Sequence, residues 1–130
     1  MTSTHTLIDT PIATVQRTAA DLVEVRFKPD HKFTVAGIAA ILDAREELGK
    51  EGPYRVLVVM PDEVDFEMSM ITTDHYSGRP VKDHSRAVAW VVWNDSNERF
   101  TRLYFSYFPS PVPAEIFYNE VEARVWLEGR

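Results

Sequence analysis

The sequence predicts an α/β fold, a mixed and mostly parallel sheet with helices packed on it, in the order β-β-α-β-α-β-α-β-α. Three observations carry that prediction. The runs "YRVLVVM" (Tyr54 to Met60) and "AVAWVVW" (Ala87 to Trp93) are apolar on both faces, as central strands covered from two sides must be. Segments with helical apolar spacing and cap residues alternate with these strands. Near the start, Val23, Val25 and Phe27 alternate with Glu24 and Arg26, the period of a half-buried strand.

The elements follow in order. The opening "MTSTHTLIDT" is polar and rich in threonine, so residues 1–10 are expected to form a flexible tail, with one domain over 11–130. "ATVQRT" (Ala13 to Thr18) and "DLVEVRFK" (Asp21 to Lys28) read as an antiparallel hairpin. Thr34 is a helix N-cap. Val35, Ile38, Ala39, Ile41 and Leu42 form an apolar stripe, and Gly49 is a stop. After "YRVLVVM" comes the acidic stretch "PDEVDFEMSM", expected to be a loop that enters a helix ending near Tyr76, because a parallel step needs a crossover. "HYSGRPVKDHS" reads as loop. After "AVAWVVW", Asp95 and Glu98 make a capping-box start for a helix from Ser96 to about Phe108, ended by Pro109, Pro111 and Pro113. "EIFY" is a short strand. Asn119 and Glu122 cap a last helix with Val121, Ala123, Val125, Trp126 and Leu127 as its apolar surface.

Composition narrows the function. The net charge is −6 and the 14 basic residues are scattered, which argues against a nucleic-acid surface. Cysteine is absent, so there is no disulfide framework, thiol nucleophile or thiolate metal site, and a cytoplasmic location fits. The first residues lack the basic start and apolar core of a secretory signal. The longest apolar run, Ala87 to Trp93, is too short to span a bilayer.

Four acids, Asp62, Glu63, Asp65 and Glu67, follow a strand's carboxyl end, where α/β proteins place their chemistry. They could serve acid–base catalysis or a hard cation, but they lack the spacing and the glycine turn of a calcium loop. The plainer reading is a solvated loop whose carboxylates favour the next helix N-terminus. The pairs Asp74-His75 and Asp83-His84 could orient a catalytic base, yet no serine sits in a nucleophile elbow, and surface loop residues are expected. His5 and His31 read as exposed. Arg79, Lys82 and Arg86 could hold an acidic group, against a plainer reading as solvated loop charge.

"FTRLYFSYFPSPVP" is the most informative segment. Phe100, Leu103, Tyr104, Tyr107 and Phe108 fill a core-facing arc, and Phe105 points away from its centre. One helix cannot easily hide so many rings against one sheet. Either Trp126 of the last helix covers the remainder, or an aromatic surface is left for a partner.

The second half, "RAVAWVVWNDSNERFTRLYFSYFPSPVPAEIFYNEVEARVWL" (Arg86 to Leu127), resembles small bacterial SpoIIAA-like proteins of the STAS/Sec14 type. Their pattern there is a buried "kAvAivv" strand, an aromatic helix, a proline-rich turn, then "iF.n..eA..WL". The resemblance implies a STAS-like fold and a role in binding protein partners, with nucleotides or lipids bound by some relatives. In the antagonist members, a serine in a "DSSG"-type motif starts the helix after the third strand and is phosphorylated. The matching region here is "VDFEMSM", without glycine and with Ser69 as its hydroxyl, a departure from the switch pattern.

These readings converge on a non-enzymatic interaction or regulatory module, without cofactor, metal or catalytic set, that binds a protein partner or forms a homodimer. The expected surface comprises Asp65, Phe66, Glu67, Ser69, Phe100, Tyr104, Phe105, Tyr107 and Phe108. The alternative is a carrier or sensor of a small apolar, lipid-like ligand, which the wide aromatic arc would line.

Overall fold

The structure is a computed structural model that describes residues 6–130; the first half of the expected tail, and His5 with it, lie outside the described residues. Six strands form one sheet in simple sequential order: β1 (Leu7–Asp9), β2 (Ala13–Ala19), β3 (Leu22–Phe27), β4 (Tyr54–Val59), β5 (Ser85–Val91) and β6 (Ala114–Phe117). The expected hairpin is present as β2 and β3, in register from Ala13 opposite Phe27 to Arg17 opposite Val23. The pairs β3–β4, β4–β5 and β5–β6 are parallel. The second half of the expected tail is instead an edge strand, since Leu7, Ile8 and Asp9 pair antiparallel with Gln16, Val15 and Thr14. A three-residue strand is too short for its period to show in sequence.

Sequential order has a physical consequence. Each parallel crossover is right-handed and steps in the same direction, so the connecting helices fall on one face of the sheet. Ile41 of α1 (Val35–Leu48), Met70 of α2 (Met68–Thr72) and Phe100 of α4 (Asp95–Tyr107) all join Val25, Val56, Val58 and Val88 in the larger core. The opposite face is left to α5 (Glu120–Glu128). There Ala123 and Leu127 meet Leu57, Val59, Ala87, Ala89 and Val91. The three alanines are fully buried, and their small size lets helix and sheet approach closely. Beyond that contact, Arg26 bridges Glu24 and Glu120, and Arg124 reaches Glu24 at 3.1 Å, tying α5 to β3.

The caps at Thr34 and Asn119 are as the sequence predicts: Thr34 Oγ1 accepts from the Gly37 amide and Asn119 Oδ1 from the Glu122 amide. For α4 the cap is Asn94, one residue earlier than Asp95, and its Oδ1 accepts from the Asn97 amide. A shorter side chain at N-cap reaches the N3 amide, and asparagine does so as well as aspartate. The loop expected over His75 to Ser85 contains a single turn of helix, α3 (Val81–His84), and Ser85 already belongs to β5.

At the sheet's other end, Arg17 ties the β2–β3 turn to the connection between α1 and β4. Although 3 % exposed, it has no acidic partner among the described residues. Its guanidinium donates to the carbonyls of Ala20, of Leu48 at 2.6 Å and of Gly52 at 3.3 Å, and it lies 5.5 Å from the Tyr54 ring centre. Gly52 has φ +120°, a backbone angle that favours glycine, and so turns its carbonyl toward this guanidinium. Removing Arg17 leaves buried carbonyls unpaired. Arg17→Met is expected to cost about 3 kcal/mol in urea unfolding, with the m-value unchanged.

Candidate functional site

The acidic stretch after β4 is tied down by backbone pairing rather than free. Phe66 forms a parallel bridge with Phe33, which precedes α1. The Phe33 amide donates to the Asp65 carbonyl at 2.8 Å, and the Glu67 amide donates back to the Phe33 carbonyl at 3.1 Å. The Glu67 carboxylate then accepts from the Val35 amide at 3.0 Å. Glu67 therefore caps α1, the preceding helix, together with Thr34, whereas the sequence reading gave the carboxylates to the next helix. An anion at a helix N-terminus is favoured by the free amides and the helix dipole. Asp62 contributes its carbonyl to the side-chain amides of Asn94 and Asn97. The side chains of Asp62, Glu63 and Asp65 point to solvent, and Ser69 is exposed. Among the described residues, no three His, Asp or Glu side chains are grouped to hold a metal ion. The helix after the stretch is short, ending at Thr72 rather than near Tyr76.

This bridge seats the rings. Phe33 stacks on Phe27 with centroids 4.4 Å apart and meets Phe100 edge-on at 5.6 Å, while Phe66 packs on Phe100 at 4.8 Å. On α4 the buried line is Asn97, Phe100, Thr101 and Tyr104. That line includes two polar residues the apolar-stripe reading passed over. Asn97 is satisfied by the Trp93 amide and the Asp62 carbonyl, and Thr101 donates to the Asn97 carbonyl. The helix is thus rotated so that Leu103 and Tyr107, expected in the core arc, stand out at 42 % and 64 % exposure. Phe105 is half-buried edge-on to Trp90 at 5.4 Å, and Phe108 leans on Tyr104 at 5.4 Å. Trp126 does not cover them: it packs with Phe117 on the opposite face.

The result is an open groove of about 460 Å³ between α2 and α4. Its walls are Phe66, Met68, Ile71, Thr72, Leu103, Tyr107 and Phe108. Met68 is 71 % exposed, an unusual fate for a methionine at the start of a helix. Of the expected surface, Phe66, Tyr107 and Phe108 line this groove. Asp65 and Glu67 hold its floor through the bridge, while Phe100 and Tyr104 lie beneath it in the core. Sequence reasoning missed Met68 and Leu103 as surface residues, although their position beside polar neighbours carried the signal.

The two Asp-His pairs do not converge. Both aspartates are exposed. His75 donates from Nε2 to the Met70 carbonyl at 2.7 Å and stacks on Tyr104 at 5.2 Å. Tyr104 in turn donates to the Thr73 carbonyl and accepts from the His75 amide; burial pushes its hydroxyl up to about 12. His84, expected on the surface, is 5 % exposed. Its Nδ1 lies 3.0 Å from the Tyr54 hydroxyl and 2.9 Å from the Ser85 hydroxyl, which accepts from Arg45 at 2.8 Å. Arg79 is taken up by Asp43 and Glu46 of α1, and Lys82 and Arg86 are exposed. Burial holds both histidines below their ordinary value, and for His84 the Arg45 charge adds to it.

A family model described as a domain of unknown function, DUF7793, matches residues 17–129. The chain belongs to that family. No curated protein matches this DUF7793 member. Among solved structures it is similar to an uncharacterised DUF3478-family protein with a SpoIIAA-like fold from Shewanella loihica PV-4. That match has a TM-score of 0.59 and 16% identity and covers 98% of each chain. The SpoIIAA-like α/β fold expected from the sequence is therefore the fold of this DUF7793 chain.

Two outcomes follow. Phe100→Ala is expected to cost about 3–5 kcal/mol, since it empties the junction of both loop rings, while Met68→Lys and Tyr107→Lys stay within about 0.5 kcal/mol of the parent in urea unfolding. The second concerns pH. A folded-state histidine pKa below the unfolded value adds stability that is present above the unfolded pKa and is lost as pH falls through the folded one. Unfolding free energy should therefore fall as pH drops below about 6.5, and less steeply in the double variant His75→Gln, His84→Gln.

Proposed function

We propose that this DUF7793 protein is a non-enzymatic regulatory module that binds an apolar protein segment in the groove between α2 and α4. The observation that carries the reading is the exposed trio Met68, Leu103 and Tyr107 beside Phe66 and Phe108. Contiguous exposed apolar surface of this kind marks interfaces, and methionine and aromatic residues are enriched in them. These side chains offer apolar area to bury. Asp62, Glu63 and Asp65 stand exposed on the loop leading into the groove, and the chain's net charge is −6. A partner segment with basic flanks is complementary to that rim, and a second copy of the chain is the other protein occupant, giving a homodimer. The absence of cysteine fits work in the cytoplasm. No helix among the described residues is long and apolar enough to cross a membrane.

A photoreactive phenylalanine analogue tests this when placed at Tyr107 in cells making the protein, with Glu47, exposed on α1, as control. An adduct of one defined mass is expected at Tyr107 only, equal either to twice the chain or to the chain plus one partner, and it should disappear when Leu103→Asp is added. The same adducts at both positions, or none at Tyr107, would contradict the reading.

A further inference from the structure

The sheet ends at β6, which pairs with β5 on one side and, among the described residues, with no strand on the other. The ladder decides which backbone groups that leaves open. The Val88 amide donates to the Pro113 carbonyl and the Val92 amide to the Phe117 carbonyl, so Pro113, Glu115 and Phe117 turn their backbone groups toward β5. Ala114 and Ile116 turn theirs outward. Pro113, which has no N–H, belongs to the inward set and leaves the outward row uninterrupted. The Ile116 amide donates to the neighbouring Glu115 carboxylate at 3.4 Å, beyond the usual range for such a bond, so this side chain covers the edge only weakly. An open row of this kind is a template for another strand.

Beside this edge runs an open groove of about 510 Å³. Arg102, Phe105 and Ser106 of α4 form one wall, Ala114 and Ile116 of β6 the other, and Trp90 of β5 lies between them. A strand laid along the edge would send alternate side chains into this groove and the others to the α5 side, where alternation also places Glu115 and Phe117. The groove-facing residues would meet Trp90, Phe105 and Ile116, a setting for apolar side chains. The residue between them would lie opposite Glu115, a setting for a basic one. A second copy of β6 does not meet this need. Two-fold pairing centred on Glu115 sets two carboxylates directly opposite each other, and centring on Ala114 or Ile116 leaves them one diagonal step apart on the same face. The other open edge, β1, is Leu7, Ile8 and Asp9 and has no basic residue.

We propose that the open edge of β6 receives an extended segment of another protein as an added strand, the segment carrying a lysine or arginine between two apolar residues. Backbone hydrogen bonds to Ala114 and Ile116 hold the segment, its apolar residues fill the groove against α4, and its cation draws the Glu115 carboxylate off the Ile116 amide. The site uses a different face of α4 from the α2–α4 groove, and neither proposal needs the other.

The probe is the capped peptide acetyl-Thr-Ile-Lys-Ile-Thr-amide. In nitrogen–proton correlation spectra of the full chain, the Ala114 and Ile116 amide signals should shift saturably with peptide, and their hydrogen exchange should slow. In either strand orientation the bonding amides of the peptide belong to alternate residues. N-methylation of the two isoleucines and N-methylation of the lysine should therefore have opposite effects, one abolishing binding and the other leaving it unchanged. Glu115→Lys should weaken the peptide about tenfold, and the peptide with glutamate in place of lysine should bind that variant as the original binds the parent. Ala114→Pro, which removes an outward N–H at an edge position, should abolish binding; the charge exchange at Glu115 decides the matter if that variant does not fold. Leu103→Asp, in the α2–α4 groove, should change nothing. The proposal is overturned by an unsaturable response, by equal effects of the two methylations, or by Glu115→Lys binding both peptides as the parent does. Ala114 and Ile116 amides that become protected as protein concentration rises, without peptide, would overturn it in favour of a second copy at the edge.

Discussion

The arrangement depends on the short parallel bridge between Phe33 and Phe66. It joins the loops at the carboxyl ends of β3 and β4, which otherwise share no element. Two backbone hydrogen bonds define it, and the Glu67 carboxylate extends it into the first turn of α1. With both loops fixed, the Phe33 and Phe66 rings meet on Phe100, so the bridge also decides where α4 can rest. The helix cannot sink closer to the sheet than those rings permit, and α2, which begins two residues past Phe66, becomes its lateral neighbour. The groove is the space between two helices set by one fixed joint.

Sheet order explains why ring surface is left over. A sequential sheet with uniform crossovers gathers α1, α2 and α4 on one side and leaves α5 to cover the other. The helix-rich side must seat rings from β3, the two loops and α4 within one layer. It does so by placing Phe100 and Tyr104 inward and turning Leu103 and Tyr107 outward. The α5 side has the opposite character, with alanines at its centre and an ion-pair cluster of Glu24, Arg26, Glu120 and Arg124 at its border. The open aromatic groove and the alanine-centred helix contact thus lie on opposite sides of one sheet.

Much of this was legible in the sequence. Doubly apolar strands, the period-two hairpin and side-chain caps are local signals, and they placed the core strands and the longer helices within a few residues. The resemblance of residues 86–127 to SpoIIAA-like proteins led to the right fold. What escaped was set by distant contacts. Counting apolar positions at 100° per residue put Tyr107 in the core, because nothing local reveals that Asn97 and Thr101 satisfy one another and turn inward. Glu67 looked like a cap for its own helix, and only the bridge brings it to α1. His84 looked like loop polarity, but the partners that make its burial tolerable, Tyr54 and Ser85, come from two neighbouring strands.

The central claim is that this fold keeps ring surface outside a layer it cannot fit within, and photochemically induced dynamic nuclear polarisation reads that directly for tyrosines in solution. In dilute protein shown to be monomeric, Tyr107 and Tyr118 should be strongly polarised by a dissolved flavin dye, while Tyr54 and Tyr104 stay silent. A silent Tyr107, or a polarised Tyr104, would contradict the account.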